Sequence, residues 1–374
     1  MRIRGAVLRE MGLPAPYAGS RPLAIADVEL DAPGPRELLV RIAATGLCHS
    51  DLSVIDGSRP RVMPMLLGHE AAGEVVETGP GTSAFAPGDH VVMAFVPVCG
   101  ACGPCCAGRA ALCEPGAAAN LSGELLAGGR RLHDASGDEL NHHLGVSGFA
   151  DHAVVSEASA VRVDPDLPFE IAALFGCAVL TGVGAVVNSA RVEVGDTVAV
   201  FGLGGVGLAA LLGARATGAR EIVAVDVVPE KLALARELGA THAIAADEDV
   251  VEAVREVTAG GLDHAIETVG SERVLAQAYA ATRRGGSTVT VGLPHPDRTL
   301  SIPAVSLVTE ERTLRGSYLG SSVPARDVPR FIDLYRAGRL PVDRLLSHRV
   351  RLDELNEAFD RLARGQAVRQ VLVL

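Results

Sequence analysis

Positive charge is scarce in this 374-residue chain: Lys231 is its one lysine, and 34 basic residues face 45 acidic ones, for a formal net charge of −11. That balance argues against a protein built around a nucleic-acid backbone, whose domain carries a basic face. Long apolar runs are missing as well. The two most apolar windows, 171–187 and 198–214, fall short of the ~20 residues that span a bilayer, and both are broken by glycine. Arg2, Arg4, Arg9 and Glu10 stand where a signal peptide needs unbroken apolar sequence. No internal repeat is visible. Nothing here suggests disorder, because 48% of residues are hydrophobic and only 21% are charged. At ~100–200 residues per domain the length predicts two or three domains, and a cytoplasmic enzyme is the expectation.

Cysteine is absent from most of the chain and dense in one place. Four of seven fall at Cys99, Cys102, Cys105 and Cys113, with Cys106 inside the run, while Cys48 and Cys177 stand alone. Disulfides are rare in a reducing compartment, so such a cluster points to metal. Interleaved with Gly100, Gly103 and Pro104, the four suit a loop closing around a tetrahedral zinc with no open position, a structural site. The regular spacing selects Cys105 and leaves Cys106 a bystander.

Up to about residue 176 the pattern is short β-like runs, such as 37–44, 72–77 and 89–93, between turn residues. It reads as a mostly-β domain with long loops. After residues 194–196 the rhythm changes. Strands at 197–201, 221–225, 243–246, 264–267 and 287–291 alternate with helices at 206–217, 229–238, 250–258 and 272–282. That alternation predicts right-handed βαβ units and a doubly wound parallel sheet. Helical stretches follow at 327–337 and 352–364, then an apolar alternation at 368–374, whose return to the first domain the pattern leaves open. The Gly-, Ala- and Ser-rich segment 115–141 reads as an inserted loop.

Gly202, Gly204, Gly205, Val206 and Gly207 follow directly on a strand and open a helix. In that setting the first glycine permits a tight turn, the second admits a pyrophosphate and the third allows close helix–strand packing. Free N–H groups at the helix start then face the phosphates. Asp226 ends the next strand, where a carboxylate accepts from ribose hydroxyls and repels a 2′-phosphate, so NAD is expected over NADP. Lys231 is placed to reach the same ribose.

With the motifs Gly46-Leu47-Cys48-His49-Ser50-Asp51 and Gly68-His69-Glu70, the four-cysteine run, Cys177 and the glycine fingerprint, the chain resembles zinc-dependent alcohol dehydrogenases of the medium-chain dehydrogenase/reductase superfamily, in their longer, animal-type branch. The resemblance runs through essentially the whole chain. It implies an α/β protein, a Rossmann domain at 178–318 plus a mostly-β GroES-like catalytic domain at 1–177 and 319–374 that carries a zinc lobe at 95–115. It also implies a catalytic zinc held by Cys48, His69 and Cys177, oriented through Asp51, with Glu70 behind the metal and a structural zinc in the lobe. Ser50 is implied to bond the substrate oxygen and pass on its proton, with His49 aiding. Thr181, Val291 and Arg369 complete the implied NAD contacts, His49 and Arg369 at the pyrophosphate. Phe95, Leu144, Leu293 and Tyr318 match the substrate channel and suggest medium-chain or aromatic alcohols, with Arg59 near its mouth. A homodimer joined through the cofactor domains is implied.

Four departures matter. Ser53 stands where relatives carry a relay histidine, and His49 where many carry an arginine. Glutathione-dependent formaldehyde dehydrogenases carry an acidic residue at the place of Arg59 and an arginine at that of Ala117. The alternatives to an alcohol dehydrogenase are a formaldehyde dehydrogenase using another thiol, and a non-catalytic NAD- and zinc-binding protein.

Overall fold

A computed structural model describes residues 1–247 and 249–374. The chain forms two compact units, one of residues 1–177, 323–329 and 346–374, the other of 178–322 and 330–345. The expected return to the catalytic domain at 319 therefore falls slightly later, and residues 330–345 belong with the dinucleotide unit. Packing explains it: the turn Val342–Leu345 lies against the helix Gly205–Thr217. Among the described residues no helix is long and apolar enough to cross a membrane.

The first unit joins a small closed barrel to a seven-stranded mixed sheet. Glu37–Leu47 is the long central strand. Ala71–Thr78 lies on one side of it, and Arg369–Val373 pairs with its far end, Gln370 opposite Leu47. The first of these registers sets Gly68-His69-Glu70 beside residues 46–48, and the second brings residue 369 to the same place. Segment 115–141 is not a bare loop. It holds the helix Glu114–Ser122 and strands Leu132–His133 and Glu139–His142, two strands of the barrel. Pro115 in the first helical turn and the left-handed Gly123 at its end are the ordinary punctuation of such a helix. Its Ala-rich sequence lacks the apolar period that would have marked it.

In the second unit the strands are β1 (Thr197–Phe201), β2 (Glu221–Asp226), β3 (His242–Ala245), β4 (Leu262–Glu267), β5 (Thr282–Thr290) and β6 (Thr313–Gly316). All five pairings are parallel, in the order β3-β2-β1-β4-β5-β6. This is the doubly wound order whose switch point lies between β1 and β4, beyond the strands' carboxyl ends. Ala199, Phe201, Val223 and Val225 help fill the core under the sheet. Strand β5 starts five residues earlier than the sequence suggests, because Arg283, Arg284, Gly285 and Gly286 read as a turn yet extend the strand across an irregular register.

Candidate functional site

Cys48 leaves the central strand as the N-cap of the short helix His49–Ile55. Asp51, at the third position of that helix, returns its carboxylate to the Cys48 N–H at 3.0 Å through Oδ2. The other oxygen, Oδ1, lies 2.9 Å from His69 Nδ1. An ionised carboxylate is acceptor-only, so Nδ1 carries the hydrogen and Nε2 is the nitrogen that offers a lone pair to a metal in exchange for any proton it holds. His69 Nε2 is buried and has no hydrogen-bond partner among the described residues. Single ligand atoms of Cys48, His69, Glu70 and Cys177 all lie within 4.8 Å of one another, and all four residues are buried. Two thiols and an imidazole lone pair at this spacing are the donor set of a three-ligand zinc site that keeps one position open.

The electrostatics fit a divalent cation. A hydrogen bond from the Cys177 thiol, opposed by burial and aided by His69, holds Cys48 well below the usual thiol range. That same bond, together with burial, pushes Cys177 up. Burial works against a charge on His69, but Asp51 outweighs it and raises the imidazole's pKa well above normal. Burial pushes Glu70 up to about 7 although Arg369 pulls it down.

Arg369 is expected at a pyrophosphate. The structure buries it and pairs its Nη2 with Glu70 Oε2. The sheet register is the cause: Gln370 opposite Leu47 delivers residue 369 behind Cys48. Gly46 makes room, since a Cβ there would lie 2.7 Å from both the guanidinium and the Glu70 carboxyl carbon.

Ser50 is half-buried, its Oγ 3.7 Å from Cys48 Sγ. His49 is exposed at the start of the helix. Ser53 Oγ donates to the His49 carbonyl at 2.8 Å, a back-bond that commits its hydroxyl hydrogen to the helix. Phe95 and Leu144 are buried, and Phe95 meets His69 edge-on at 5.5 Å. Arg59 is half-buried just past the short helix. Leu293 and Tyr318 belong to the second unit and are exposed on it.

In the lobe, the sulfurs of Cys99, Cys102, Cys105 and Cys113 lie within 4.8 Å of one another, and Cys106 is exposed and outside the set. Backbone N–H groups of Ala101 and Cys102 lower Cys99 to about 6. Burial and the Cys102 thiol push Cys105 up to about 12, so the four do not ionise together without a counter-charge.

In the second unit the glycine turn has the required form. Gly202 has φ +91, and a Cβ on Gly207 would overlap the Gly202 carbonyl, so the third glycine is a packing necessity. Asp226 accepts from Leu203 N at 2.6 Å and from Val228 N at 2.9 Å, which fixes its carboxylate beside the turn. Lys231 and Val291 are half-buried and Thr181 is buried. Thr268 was not legible in advance; its hydroxyl donates to the Gly202 carbonyl at 2.9 Å and braces the turn. His143 was also missed. It is buried beside His69 and Asp51, and its only signal is the doublet His142-His143 before Leu144.

Residues 34–166 match the family model described as alcohol dehydrogenase GroES-like domain, and residues 205–337 the zinc-binding dehydrogenase model. A geraniol dehydrogenase of Castellaniella defragrans is 40% identical over 99% of this chain and 97% of its own. The crystal structure of a benzyl alcohol dehydrogenase from Acinetobacter calcoaceticus superposes with a TM-score of 0.93 at 33% identity, covering 100% of this chain and 99% of that one. A more distant zinc-binding dehydrogenase from Sinorhizobium meliloti, bound to NADP, gives a TM-score of 0.81 at 26% identity, with 100% of each chain covered. With full-length similarity at this level, and a buried thiol–imidazole set in the GroES-like unit, the chain belongs to the zinc-dependent alcohol dehydrogenases of the medium-chain dehydrogenase/reductase superfamily.

Proposed function

We propose that the chain is an NAD-linked enzyme that reversibly oxidises primary or secondary alcohols with medium-length or aromatic apolar bodies to aldehydes or ketones, with two zinc ions per chain. The observation that carries this reading is the buried Cys48–His69–Cys177 set, in which Asp51 fixes Nδ1 of His69 and leaves Nε2 unpaired. The lobe cysteines Cys99, Cys102, Cys105 and Cys113 hold the second ion. Bound at the first set, zinc supplies the Lewis acidity that makes a hydroxyl acidic, and a nicotinamide supplies the hydride acceptor.

The protein's own part is positioning and proton handling. Asp51 keeps His69 in one tautomer and one orientation. Ser50 Oγ accepts the hydroxyl proton's hydrogen bond and hands the proton outward through the cofactor ribose and water, aided by exposed His49. Ser53 does not extend this route, because its hydrogen is committed to the His49 carbonyl. Phe95 and Leu144 supply an apolar wall that suits an apolar alcohol, and the activities named for the geraniol and benzyl alcohol relatives support that class. Arg59 favours substrates with an anionic tail, which ω-hydroxy acids compared with plain alcohols will test.

Asp226, pinned beside the glycine turn, favours NAD over NADP. Dimerisation through the dinucleotide units is supported by the unpaired outer edge of β6 and by exposed Val305 and Val308 on the neighbouring helix Ala304–Thr309. Seven unpaired cysteines suit a reducing compartment such as the cytoplasm.

The test is NADH absorbance across alcohols of graded length and aromaticity, with NAD and NADP in parallel, together with zinc analysis. The reading expects about two zincs, preference for NAD and loss of turnover on removing the more labile zinc. Activity that survives complete chelation overturns it. Formaldehyde turnover that requires an added thiol overturns the alcohol assignment in favour of a thiol adduct.

A further inference from the structure

The Asp51 carboxylate has a third neighbour. His143 Nδ1 lies 3.3 Å from the same Oδ1 that receives His69 Nδ1, a close polar contact short of hydrogen-bond alignment, and it makes no hydrogen bond among the described residues, which leaves that carboxylate as its nearest charged neighbour. The two rings meet edge-on, centroids 5.4 Å apart at 85°. His143 comes from a separate part of the chain, just beyond the strand Glu139–His142. Its backbone is held in a tight turn, with its N–H donating to Ser147 Oγ at 3.0 Å and its carbonyl accepting from Val146 N at 3.1 Å. Leu144 and Ser147 both take the left-handed conformation there, which costs about 1–3 kcal/mol per residue and persists only where the surroundings impose it. The turn thus aims a fully buried imidazole at a fully buried carboxylate.

Asp51 ionised offers only lone pairs, so the hydrogen between the two residues belongs to His143 Nδ1. Asp51 thus bonds Cys48 N–H and His69 Nδ1, both on candidate metal ligands, and faces His143 Nδ1 at 3.3 Å. Asp51, His69 and His143 do not form a second metal site beside the first, because His69 Nδ1 is already engaged by the carboxylate.

We propose that His143 is a positioning residue of the zinc centre: its Nδ1–H holds the Asp51 carboxylate, which in turn aims His69. The assignment rests on the reading of Cys48, His69 and Cys177 as zinc ligands.

The experiment uses the purified zinc-loaded enzyme and follows release of its zinc to a chromophoric chelator. His143→Phe keeps the ring and its packing but removes the donor. His143→Asn places an amide nitrogen close to the Nδ1 position. Loss of a partner of this kind typically weakens metal affinity about 10–100-fold, so the Phe variant is expected to release one of two zincs ~10-fold faster or more. The lobe zinc should leave at the wild-type rate and serves as the internal check on folding. The Asn variant is expected to restore slow release.

Unchanged release from the Phe variant overturns the proposal, and so does equal acceleration in Phe and Asn, which would make the role one of packing. Should Phe disturb the lobe zinc, His143→Leu replaces it under the same criteria. A wild-type enzyme whose zinc content is insensitive to Cys48→Ser overturns the reading of the centre, and with it this assignment; that result is distinct from failure of His143 alone.

Discussion

The two thiol clusters of this chain are built in opposite ways. The lobe gathers four cysteines from fifteen consecutive residues, three of them partly exposed, and its sulfurs accept from local backbone N–H groups. The other cluster spans residues 48 to 177, is fully buried and mixes thiols with an imidazole. Charged side chains surround it: Asp51 behind His69, and Glu70 paired with Arg369. Four local thiols complete a tetrahedral ion and leave nothing for chemistry. Three ligands supplied by a whole folded domain leave a position open and surround it with groups that adjust charge. On the proposed reading, locality goes with support and dispersal with reactivity.

The sharpest way to break this comparison is Cys177→Ala. If the buried cluster is the reactive one, kcat/KM with any substrate alcohol falls by ~10³-fold or more, since metal activation is worth several kcal/mol. Zinc content drops by one while the lobe zinc and circular dichroism stay unchanged. Retained turnover would reverse the roles assigned to the clusters.

The opposite substitution, Cys113→Ala, should act on stability first. Losing a structural metal belongs to the few mechanisms that cost about 4 kcal/mol or more, so the denaturant midpoint falls clearly. Turnover per folded molecule is expected to remain within a few-fold, as active-site titration of the surviving fraction will report.

His142 separates burial from reactivity. It is as buried as His69, but burial, with help from Arg131 and Arg130, lowers its pKa to about 3. Its Nε2 accepts from Arg131 N at 3.1 Å, which requires the neutral ring. Because the folded pKa lies below the unfolded value of about 6.5, the unfolded chain binds the extra proton between those values. Stability from this group is complete above about pH 6.5 and falls progressively toward pH 3. At pH 5 the loss is about 2 kcal/mol. His142→Gln keeps an acceptor without a titrating ring and should remove that part of the acid sensitivity in urea melts.

The smallest effect belongs to Cys106→Ser. Exposed and outside the quartet, Cys106 should change neither zinc content nor stability beyond about 0.5 kcal/mol. A lost zinc would show that the lobe draws on five sulfurs.

Much of the dinucleotide unit was legible because parallel strands covered on both faces read as compact apolar runs closed by glycine or Asp226. Helix Pro229–Leu238 and strand Thr197–Phe201 fall where their punctuation places them. Strand β5 began too late in the sequence reading because Arg283-Arg284-Gly285-Gly286 has turn chemistry that sheet pairing overrides. The helix Glu114–Ser122 went unseen because alanine and glycine leave no amphipathic stripe. In the site, cysteine and histidine spacing suggested ligands by resemblance, but the surroundings of those ligands did not follow from it. Arg369 reaches Glu70 through strand register, and His143 reaches Asp51 through a left-handed turn; neither relation has a signature in local sequence.

The strand Arg369–Val373 lies between Glu37–Leu47 and Leu346–Val350 in the sheet that ends at Cys48. On the ribosome it emerges only after the entire dinucleotide unit. Until then the Cys48 end of the sheet is an open edge, the kind of surface that invites wrong pairing, and Glu70 lacks its counter-charge. The candidate ligands Cys48, His69 and Cys177 are therefore all translated before the strand that completes the sheet around them.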